Sequence, residues 1–294
     1  MQIKTLFQRK EFVYSYEIFP PRMDLPLKKV YDAIENMACL QPDYISVTYG
    51  AGGCAQNNRT AHLSGRILKR HGIQSLAHLT CIGATKLHIE KVLCELQAQS
   101  VTNVLALRGD VPEQGVSSND FLNSQELIHY VKSRGFSVAA AAYPEGHKET
   151  IEKEKDFEIM KRKEDAGADY FITQLFFDND IFYKFLDKAV KKGVKAPVQA
   201  GVMPITNMRQ IRRIIELSGA TLPARFLRII DRYGCDDRAL KDAGIAYATE
   251  QIIDLIAFGV SGAHLYTMND AETACSITQN INSLLRAVNS RSAI

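Results

Sequence analysis

The sequence predicts an α/β fold in which eight parallel strands close into a (β/α)8 barrel. Eight short runs dense in Val, Ile, Tyr and Phe recur along the chain, at residues 14–20, 44–50, 74–81, 103–110, 137–144, 170–177, 197–204 and 262–269. Their starts are 27 to 34 residues apart until the last step of 65 residues, so each gap can hold a helix. Continuous apolar strands separated by helices are typical of a parallel sheet covered on its outer face, and eight such strands suit a closed barrel.

Helix signals fill the gaps between these strands. Thr85 can cap a helix whose buried stripe is Ile89, Val92, Leu93 and Leu96, and a second stripe of Phe182, Phe185, Leu186 and Ala189 ends before Gly193. Gly72 and Gly135 are predicted to end two other helices. The long last gap holds a helix at residues 207–218, a segment with Pro223, and a long helix that carries Ala248, Ile252, Leu255 and Gly259. We therefore expect extra helices before strand eight.

The composition limits the class of protein. Barrels of this kind run to 294 residues as one unit, so we expect a single domain over residues 1–294. No apolar stretch approaches the roughly 18 residues of a membrane helix, and residues 1–10 lack the apolar core of a secretory signal. A net charge of +3 is too small to imply a nucleic-acid partner. We expect a cytoplasmic protein with neither a membrane nor a nucleic-acid partner.

Cysteine and histidine spacing gives no metal signal. Six cysteines are scattered without a C-x-x-C pair, which predicts free thiols buried as small apolar side chains. No H-x-H pair opens the predicted barrel and no strand ends in a lysine, which disfavours a metal hydrolase and a Schiff-base aldolase.

Polar side chains end most of the strands. The active site of such a barrel lies at the carboxyl ends of its strands. These ends carry Glu17, Arg22, Thr48, His78, Thr80, Arg108, Asp110, Tyr143, His147, Gln174 and Tyr266. A single polar residue of this kind is explained equally well as a paired group in the core. Polar residues at seven converging strand ends favour an active site.

Glu17 lies inside the first apolar run. A carboxyl group desolvated there would have a raised pKa, which suits a general acid at neutral pH. An internal salt bridge with Arg22 or another cation explains it equally well at this point. Asp110 follows Arg108 and Gly109 at the end of strand four, where the glycine lets a backbone approach a ligand closely.

Charges crowd residues 153–165. A solvated helix face is the ordinary explanation. Alternatively, Asp156, Arg162 and Lys163 lie along the barrel mouth, where two cations neutralise a pyrophosphate and a carboxylate holds a ribose. Arg108 and His147 would then add donors, which suits a bulky dinucleotide.

A glycine-rich run at residues 50–55 matches G-x-G-x-x-A between a strand and a helix. The next strand, at residues 74–81, has no Asp or Glu to hold ribose hydroxyls. This disfavours Rossmann-type binding and leaves a glycine-rich loop as the ordinary explanation.

Taken together, the motifs resemble the 5,10-methylenetetrahydrofolate reductase family, flavin-dependent enzymes of one-carbon metabolism. The matching segments are YEIFPPR at 16–22, VTYGA at 47–51, HLTC at 78–81, ALRGD at 106–110, AYPEGH at 142–147, KRK at 161–163, DAGA at 165–168, ITQ at 172–174 and HLYT at 264–267. They span almost the whole chain in the family's order, which is more specific than any single motif.

The resemblance implies a barrel that holds FAD, which NADH or NADPH reduces and methylenetetrahydrofolate then reoxidises in a ping-pong cycle through the flavin N5. Glu17 would be the general acid that assists opening of the methylene-bearing ring, and Asp110 would bind the folate and tune the flavin. Gln174 and Gln210 would contact folate or nicotinamide. The implied cofactor-binding residues are Thr48, Tyr49, Ala51, His78, Arg108, Gly109, Asp110, Tyr143, His147, Asp156, Arg162 and Lys163.

Three positions depart from the family pattern. Ile159 replaces a polar flavin-side residue of some relatives, Ile214 stands where some carry an aromatic residue, and Asp270 stands where arginine is common. The last two leave open an electron donor other than NAD(P)H, such as a partner subunit. Family members are commonly oligomeric, so we expect a homo-oligomer. A flavin-free, pterin-binding methyltransferase barrel is the alternative enzyme, although it leaves Arg162 and Lys163 without a role.

Overall fold

Eight parallel strands form a closed barrel in a computed structural model that describes residues 1–21, 25–49, 59–110, 120–147, 150 and 152–290, without the side chains of residues 212, 213, 216 and 217. Neighbours along the chain are neighbours in the sheet, and β8 pairs with β1 to close it. The prediction of a (β/α)8 barrel is confirmed. The strands are β1 Val13–Ile18, β2 Tyr44–Val47, β3 Gln74–Thr80, β4 Asn103–Leu107, β5 Ser137–Ala142, β6 Tyr170–Thr173, β7 Val198–Val202 and β8 Gly262–Tyr266.

Each strand ends one to four residues before its predicted run does. Described residues beyond the ends of the strands can still be packed against the barrel. Phe176 and Phe177, for example, follow β6 and are 0% and 3% exposed. Hydrophobicity reports burial and not backbone hydrogen bonding, so it does not mark where the ladder stops.

Helices cover the outside of the barrel. After a short 3₁₀ turn at Ile3–Thr5 they are α1 Leu6–Arg9, α2 Lys28–Ala38, α3 Arg59–His71, α4 Lys86–Ala98, α5 Ser124–Ser133, α6 Glu154–Asp165, α7 Asn179–Lys191, α8 Met208–Ser218, α9 Ala224–Tyr233, α10 Asp237–Phe258 and α11 Ala271–Ser290. The three helices α8, α9 and α10 precede β8, which confirms the predicted extra helical segment. Among the described residues, no helix is both long and apolar enough to span a membrane.

The predicted helix signals have the expected roles. The Thr85 side chain accepts a hydrogen bond from the backbone N–H of His88 (3.1 Å) and caps α4, whose four-residue apolar stripe is buried. Gly72, Gly135 and Gly193 follow α3, α5 and α7 with positive φ angles. The helix cap and the glycines that end the helices could therefore be predicted from the sequence.

The amino-terminal end of the barrel is plugged by the start of the chain. Ile3 and Leu6 join a buried cluster with Val13 and Leu105, and the Ile3 backbone N–H donates to Asn103 Oδ1 (2.7 Å). Because this end is filled, the carboxyl ends of the strands are left to build a site.

The cysteines are only partly as predicted. The five described cysteines are free thiols, and Cys81 is buried. Cys39, Cys94 and Cys235 are exposed, so their predicted burial was wrong. The reason is visible in α4, where the apolar stripe that includes Leu93 and Leu96 turns Cys94 outward.

Gly244 allows α10 to approach the loop after β7. A Cβ atom at this position would lie 1.8 Å from the Ile205 carbonyl oxygen, which is backbone and cannot rotate away. We expect Gly244→Ala to destabilise the fold by about 1–3 kcal/mol, because overpacking outweighs the roughly 1 kcal/mol that alanine gains over glycine in a helix. Guanidinium denaturation would measure this.

The matched control is Ala246→Gly at an exposed position of the same helix. It should cost about 1 kcal/mol through helix propensity alone. A Gly244→Ala protein as stable as the wild type would contradict the close approach of α10.

Candidate active site

Glu17 lies inside the barrel near the carboxyl end of β1. Its side chain is 20% exposed, and its Oε2 atom lies 3.5 Å from His78 Nε2 and 4.0 Å from His264 Nε2. No Lys or Arg forms an ion pair with it among the described residues, and Arg22, the predicted partner, lies outside them. No described residue forms the alternative salt bridge, and both the pairing with Arg22 and the general-acid role stay predictions.

The electrostatics of this group follow from burial. Desolvation raises the pKa of the Glu17 carboxyl to about 8. The same effect lowers the pKa of His78 to about 3, and burial together with His78 lowers that of His264 to about 3. At neutral pH the site holds a protonated carboxyl group between two uncharged imidazoles.

Strand register sets the neighbours of Glu17 on the two adjacent strands. Glu17 is paired with Ser46 on β2 and with Tyr266 on β8. The Thr267 hydroxyl donates to the Glu17 carbonyl oxygen (2.6 Å), which ties the end of β1 to the end of β8. The Tyr266 hydroxyl reaches across to the Thr173 carbonyl oxygen (2.6 Å).

Sequence reasoning assigned no role to His264. It is fully buried, and its ring nitrogens lie 2.7 Å from Ser15 Oγ and 3.1 Å from Ser46 Oγ. The available signal was a histidine inside an apolar strand, and nothing local said that it would face Glu17.

A second part of the site is a cavity of about 290 Å³ at the ends of β4 and β5. Its wall includes Arg108, Tyr143, His147, Asp156 and Lys163. Asp156 accepts hydrogen bonds from the His147 backbone N–H (2.6 Å) and from the Thr150 hydroxyl (2.8 Å). The Tyr143 and His147 rings meet edge to face at 4.7 Å.

Lys163 is a buried cation in the wall of this cavity. Its Nζ donates to the Ala141 carbonyl oxygen (2.7 Å) and lies 5.7 Å from the centre of the Tyr143 ring. An ammonium group has three donors, and the described residues accept from one of them. Burial lowers the pKa of Lys163 to about 8, against the opposing effect of Asp156. An anion in the cavity would use the remaining donors and stabilise the charge.

The end of β4 turns sharply beside the cavity. Gly109 has a φ of +87°, and a Cβ there would lie 2.9 Å from Ile82 Cγ2, so packing within the protein already requires glycine. Arg108 Nε donates to the Gly109 carbonyl oxygen (3.3 Å), and Asp110 is exposed.

Comparison with known proteins decides the family. Residues 2–282 match the family model described as methylenetetrahydrofolate reductase. The 5,10-methylenetetrahydrofolate reductase of Escherichia coli strain K12 is 31% identical over 268 residues, which cover 91% of this chain and 90% of that protein. This chain belongs to the methylenetetrahydrofolate reductase family.

Other relatives differ in length. "Methylenetetrahydrofolate reductase (NADH) 1" of Arabidopsis thaliana is 30% identical over 307 residues, which cover 99% of this chain and 52% of the plant protein. The chain thus spans about half the length of this plant relative. A solved Clostridium thermocellum protein, described as binding two copies of 5-methyl-5,6,7,8-tetrahydrofolic acid, superposes with a TM-score of 0.71 over 97% of this chain and 98% of its own. At 13% identity this likeness shows the fold alone.

The structure brings many of the residues expected from the reductase family to one end of the barrel. Glu17 and His78 meet in the interior, and five expected cofactor residues line the cavity. Thr48 follows β2 and is half-buried, with its backbone N–H bonded to the Ile18 carbonyl oxygen (3.0 Å). Ala51 and the rest of the glycine-rich run at 50–55 lie outside the described residues. Tyr49, which immediately precedes the run, is described.

Four residues that the reductase family would use to bind ligands either form hydrogen bonds within the protein or do not line the cavity. Tyr49 shares a hydrogen bond with His88 on α4 (2.9 Å), and Arg162 is exposed and does not line the cavity. Gln174 Oε1 accepts from the backbone N–H of the next residue (3.0 Å). Gln210 Oε1 accepts from the Thr206 backbone and hydroxyl at the start of α8 (3.1 and 3.0 Å). Their ligand-binding roles stay predictions.

Two of the three departures from the family pattern have a structural explanation. Asp270 accepts from the Thr273 backbone N–H (3.0 Å) at the start of α11 and pairs with Lys241 (3.4 Å). Ile214 is buried in an apolar cluster with Phe226. Ile159 lines the cavity, so it is the departure that a ligand in the cavity would face.

The raised pKa of Glu17 predicts a pH-dependent stability. Between pH 6.5 and about 8 the folded protein holds a proton on Glu17 that the unfolded chain, with a carboxyl pKa of 4.5, has lost. Stability therefore falls as pH rises through this window, by about 1–2 kcal/mol. Glu17→Gln cannot ionise and should not lose this stability. Between pH 6.5 and pH 9 its free energy of unfolding should therefore rise by about 1–2 kcal/mol relative to that of the wild type.

Urea denaturation of both proteins at several pH values would measure this difference. Taking the difference removes the contribution of Lys163, which both proteins share. Glu158→Gln, at an exposed position on α6, is the control and should track the wild type. A Glu17→Gln curve parallel to wild type would mean that Glu17 is ionised at neutral pH.

Proposed function

We propose that this chain reduces 5,10-methylenetetrahydrofolate to 5-methyltetrahydrofolate with bound FAD and electrons from NADH or NADPH. The observation that carries the proposal is the buried Glu17 carboxyl group, which has no cationic partner among the described residues and a pKa near 8. Membership of the methylenetetrahydrofolate reductase family supports the same substrate.

Glu17 would act on the methylene bridge of the folate. It would give its proton to the substrate N10, so that the bond between N10 and the methylene carbon breaks with its electron pair on nitrogen. The methylene carbon would then accept a hydride and become the N5-methyl group. A carboxyl group that is still protonated at neutral pH is what this step requires.

The residues of the cavity fit FAD. Lys163 has donors that no described residue uses and that suit a phosphate oxygen, Arg108 adds a second cation, and Asp156 is a carboxylate suited to ribose hydroxyls. When bound, FAD would supply the two-electron transfer that no side chain can perform. Asp110, Gln174 and Gln210 would contact the folate or the nicotinamide.

The cavity predicts which cation of α6 holds the cofactor. We expect Lys163→Met to weaken FAD binding by about ten- to hundredfold, because a buried charge-assisted hydrogen bond is lost. Titration of flavin-free protein followed by flavin fluorescence would measure the affinity.

Lys161→Met is the matched control, since Lys161 lies on the same helix and pairs with Glu164 (3.1 Å) and Asp165. It should bind FAD as the wild type does. Equal losses in both variants would mean that the cavity around Lys163 is not the flavin site.

Separating the two half-reactions tests the role of Glu17. We expect Glu17→Gln to bind FAD and to accept electrons from NAD(P)H at the wild-type rate, because Glu17 lies outside the cavity wall. Its reoxidation by methylenetetrahydrofolate should fall by about 10²-fold or more, which is the usual size of a general-acid effect. Anaerobic stopped-flow absorbance at the flavin band measures both steps.

Normal folate turnover in this variant would rule out Glu17 as the acid. A colourless wild-type protein that takes up no FAD would instead favour a flavin-free pterin-binding barrel.

A further inference from the structure

A buried amide has a fixed orientation next to His264. Gln199 Nε2 lies 3.0 Å from the Val13 carbonyl oxygen and 2.9 Å from the Ala263 carbonyl oxygen, while Gln199 Oε1 accepts from the Tyr44 hydroxyl. Carbonyl oxygens only accept hydrogen bonds, so the nitrogen must face them and the oxygen must face Tyr44.

This orientation fixes the direction of the next hydrogen bond. Gln199 Nε2 also lies 2.8 Å from Ser15 Oγ, and an amide nitrogen donates but does not accept. The two amide hydrogens are shared among three oxygen atoms, so Ser15 Oγ accepts from Gln199 or stays next to it without donating to it. Its own proton is directed to His264 Nδ1, 2.7 Å away.

The tautomer of His264 follows. Because Nδ1 accepts from Ser15, the neutral ring carries its proton on Nε2. Nε2 faces Ser46 Oγ at 3.1 Å and Glu17 Oε2 at 4.0 Å. The Nε2–H therefore donates to Ser46 Oγ in the resting site and has Glu17 Oε2 as the next oxygen atom within reach.

We propose that His264 is a positioning residue for the Glu17 acid: the buried chain from Tyr44 through Gln199 and Ser15 holds the His264 Nε2–H toward Glu17 Oε2, where it stabilises the carboxylate formed when Glu17 gives up its proton. The inference rests on the proposed function of Glu17. The proton passes from Glu17 to the substrate, and His264 keeps its own proton throughout.

The distance of 4.0 Å is too long for a hydrogen bond to the protonated acid. When the oxygen becomes negative, it attracts the N–H, and a shift of about 1 Å closes the contact. His264 can therefore favour the carboxylate of the reacting state more than the neutral acid of the resting state, which is the condition for a catalytic benefit.

The other groups around Glu17 do not replace this donor. His78 on β3 has an Nε2 at 3.5 Å without a hydrogen-bond partner among the described residues, so its tautomer is not fixed. Tyr44 on β2 and Tyr266 on β8 also face Glu17, and their hydroxyls already donate to Gln199 and to the Thr173 carbonyl.

The first test measures the tautomer in flavin-free protein. Nuclear magnetic resonance of protein labelled with ¹⁵N-histidine, with His264→Gln used for assignment, should show the Nε2–H form of His264 between pH 6 and 8. Ser15→Ala should produce a mixture of tautomers. A wild-type protein in the Nδ1–H form would overturn the inference without reference to activity.

The second test is the pH profile of folate reduction in the flavin-loaded protein. We expect His264→Leu to lower the rate of this step by about tenfold or more, because a hydrogen bond to a charged group is lost. The alkaline limb should move to higher pH, since a less stable carboxylate means a weaker acid. KM for the folate and the rate of flavin reduction by NAD(P)H should not change.

Two further variants keep the test decisive if His264→Leu folds poorly. His264→Gln, which retains an N–H donor, should recover part of the rate, and Ser15→Ala should lose part of it. The control is Ser137→Ala, which removes a buried serine hydroxyl on β5 that has no partner among the described residues.

The possible failures can be told apart. A wild-type protein that reduces no folate would overturn the proposed function and the role of His264 with it. Normal wild-type activity with an unchanged pH profile in His264→Leu and Ser15→Ala would overturn the role of His264 alone.

Discussion

The site depends on the burial of one carboxyl group that has no positive charge beside it among the described residues. An ionised carboxylate in such a position loses its hydration and gains no ion pair, so the Glu17 carboxyl keeps its proton up to a pH of about 8. The barrel imposes this condition, because the strands on both sides of β1 turn uncharged side chains inward. Ser46 comes from β2, and His264 and Tyr266 come from β8.

The mouth is divided into an uncharged part and a charged part. Around Glu17 the described side chains are uncharged, whereas Lys163 and Arg108 line a cavity at β4 and β5. The separation has a chemical consequence. A cation next to Glu17 would lower its pKa and remove the proton, while a cavity without cations would leave a pyrophosphate unpaired. The same barrel end can thus hold an acid and an anion only if it keeps them on different strands.

The fold and part of the site could be predicted from the sequence. Strands, helix caps and glycine stops depend on neighbours a few residues away, and those neighbours are visible in the sequence. Which charged residues line the cavity was harder to predict. Lys163 and Arg162 are adjacent, yet one is buried in the cavity wall and the other is exposed, because successive helix residues point about 100° apart. Charge density alone did not separate them.

The sequence by itself determined the eight-stranded barrel, the extra helices before β8, and a strand-borne carboxyl group at the active end. Only the tertiary structure decided what surrounds that carboxyl group. His264 and Gln199 are 247 and 182 residues away from Glu17 along the chain. They come close to β1 because β8 pairs with β1 and β7 pairs with β8. A pKa and a tautomer are set by the groups within a few ångströms, and closure of the barrel is what chooses those groups.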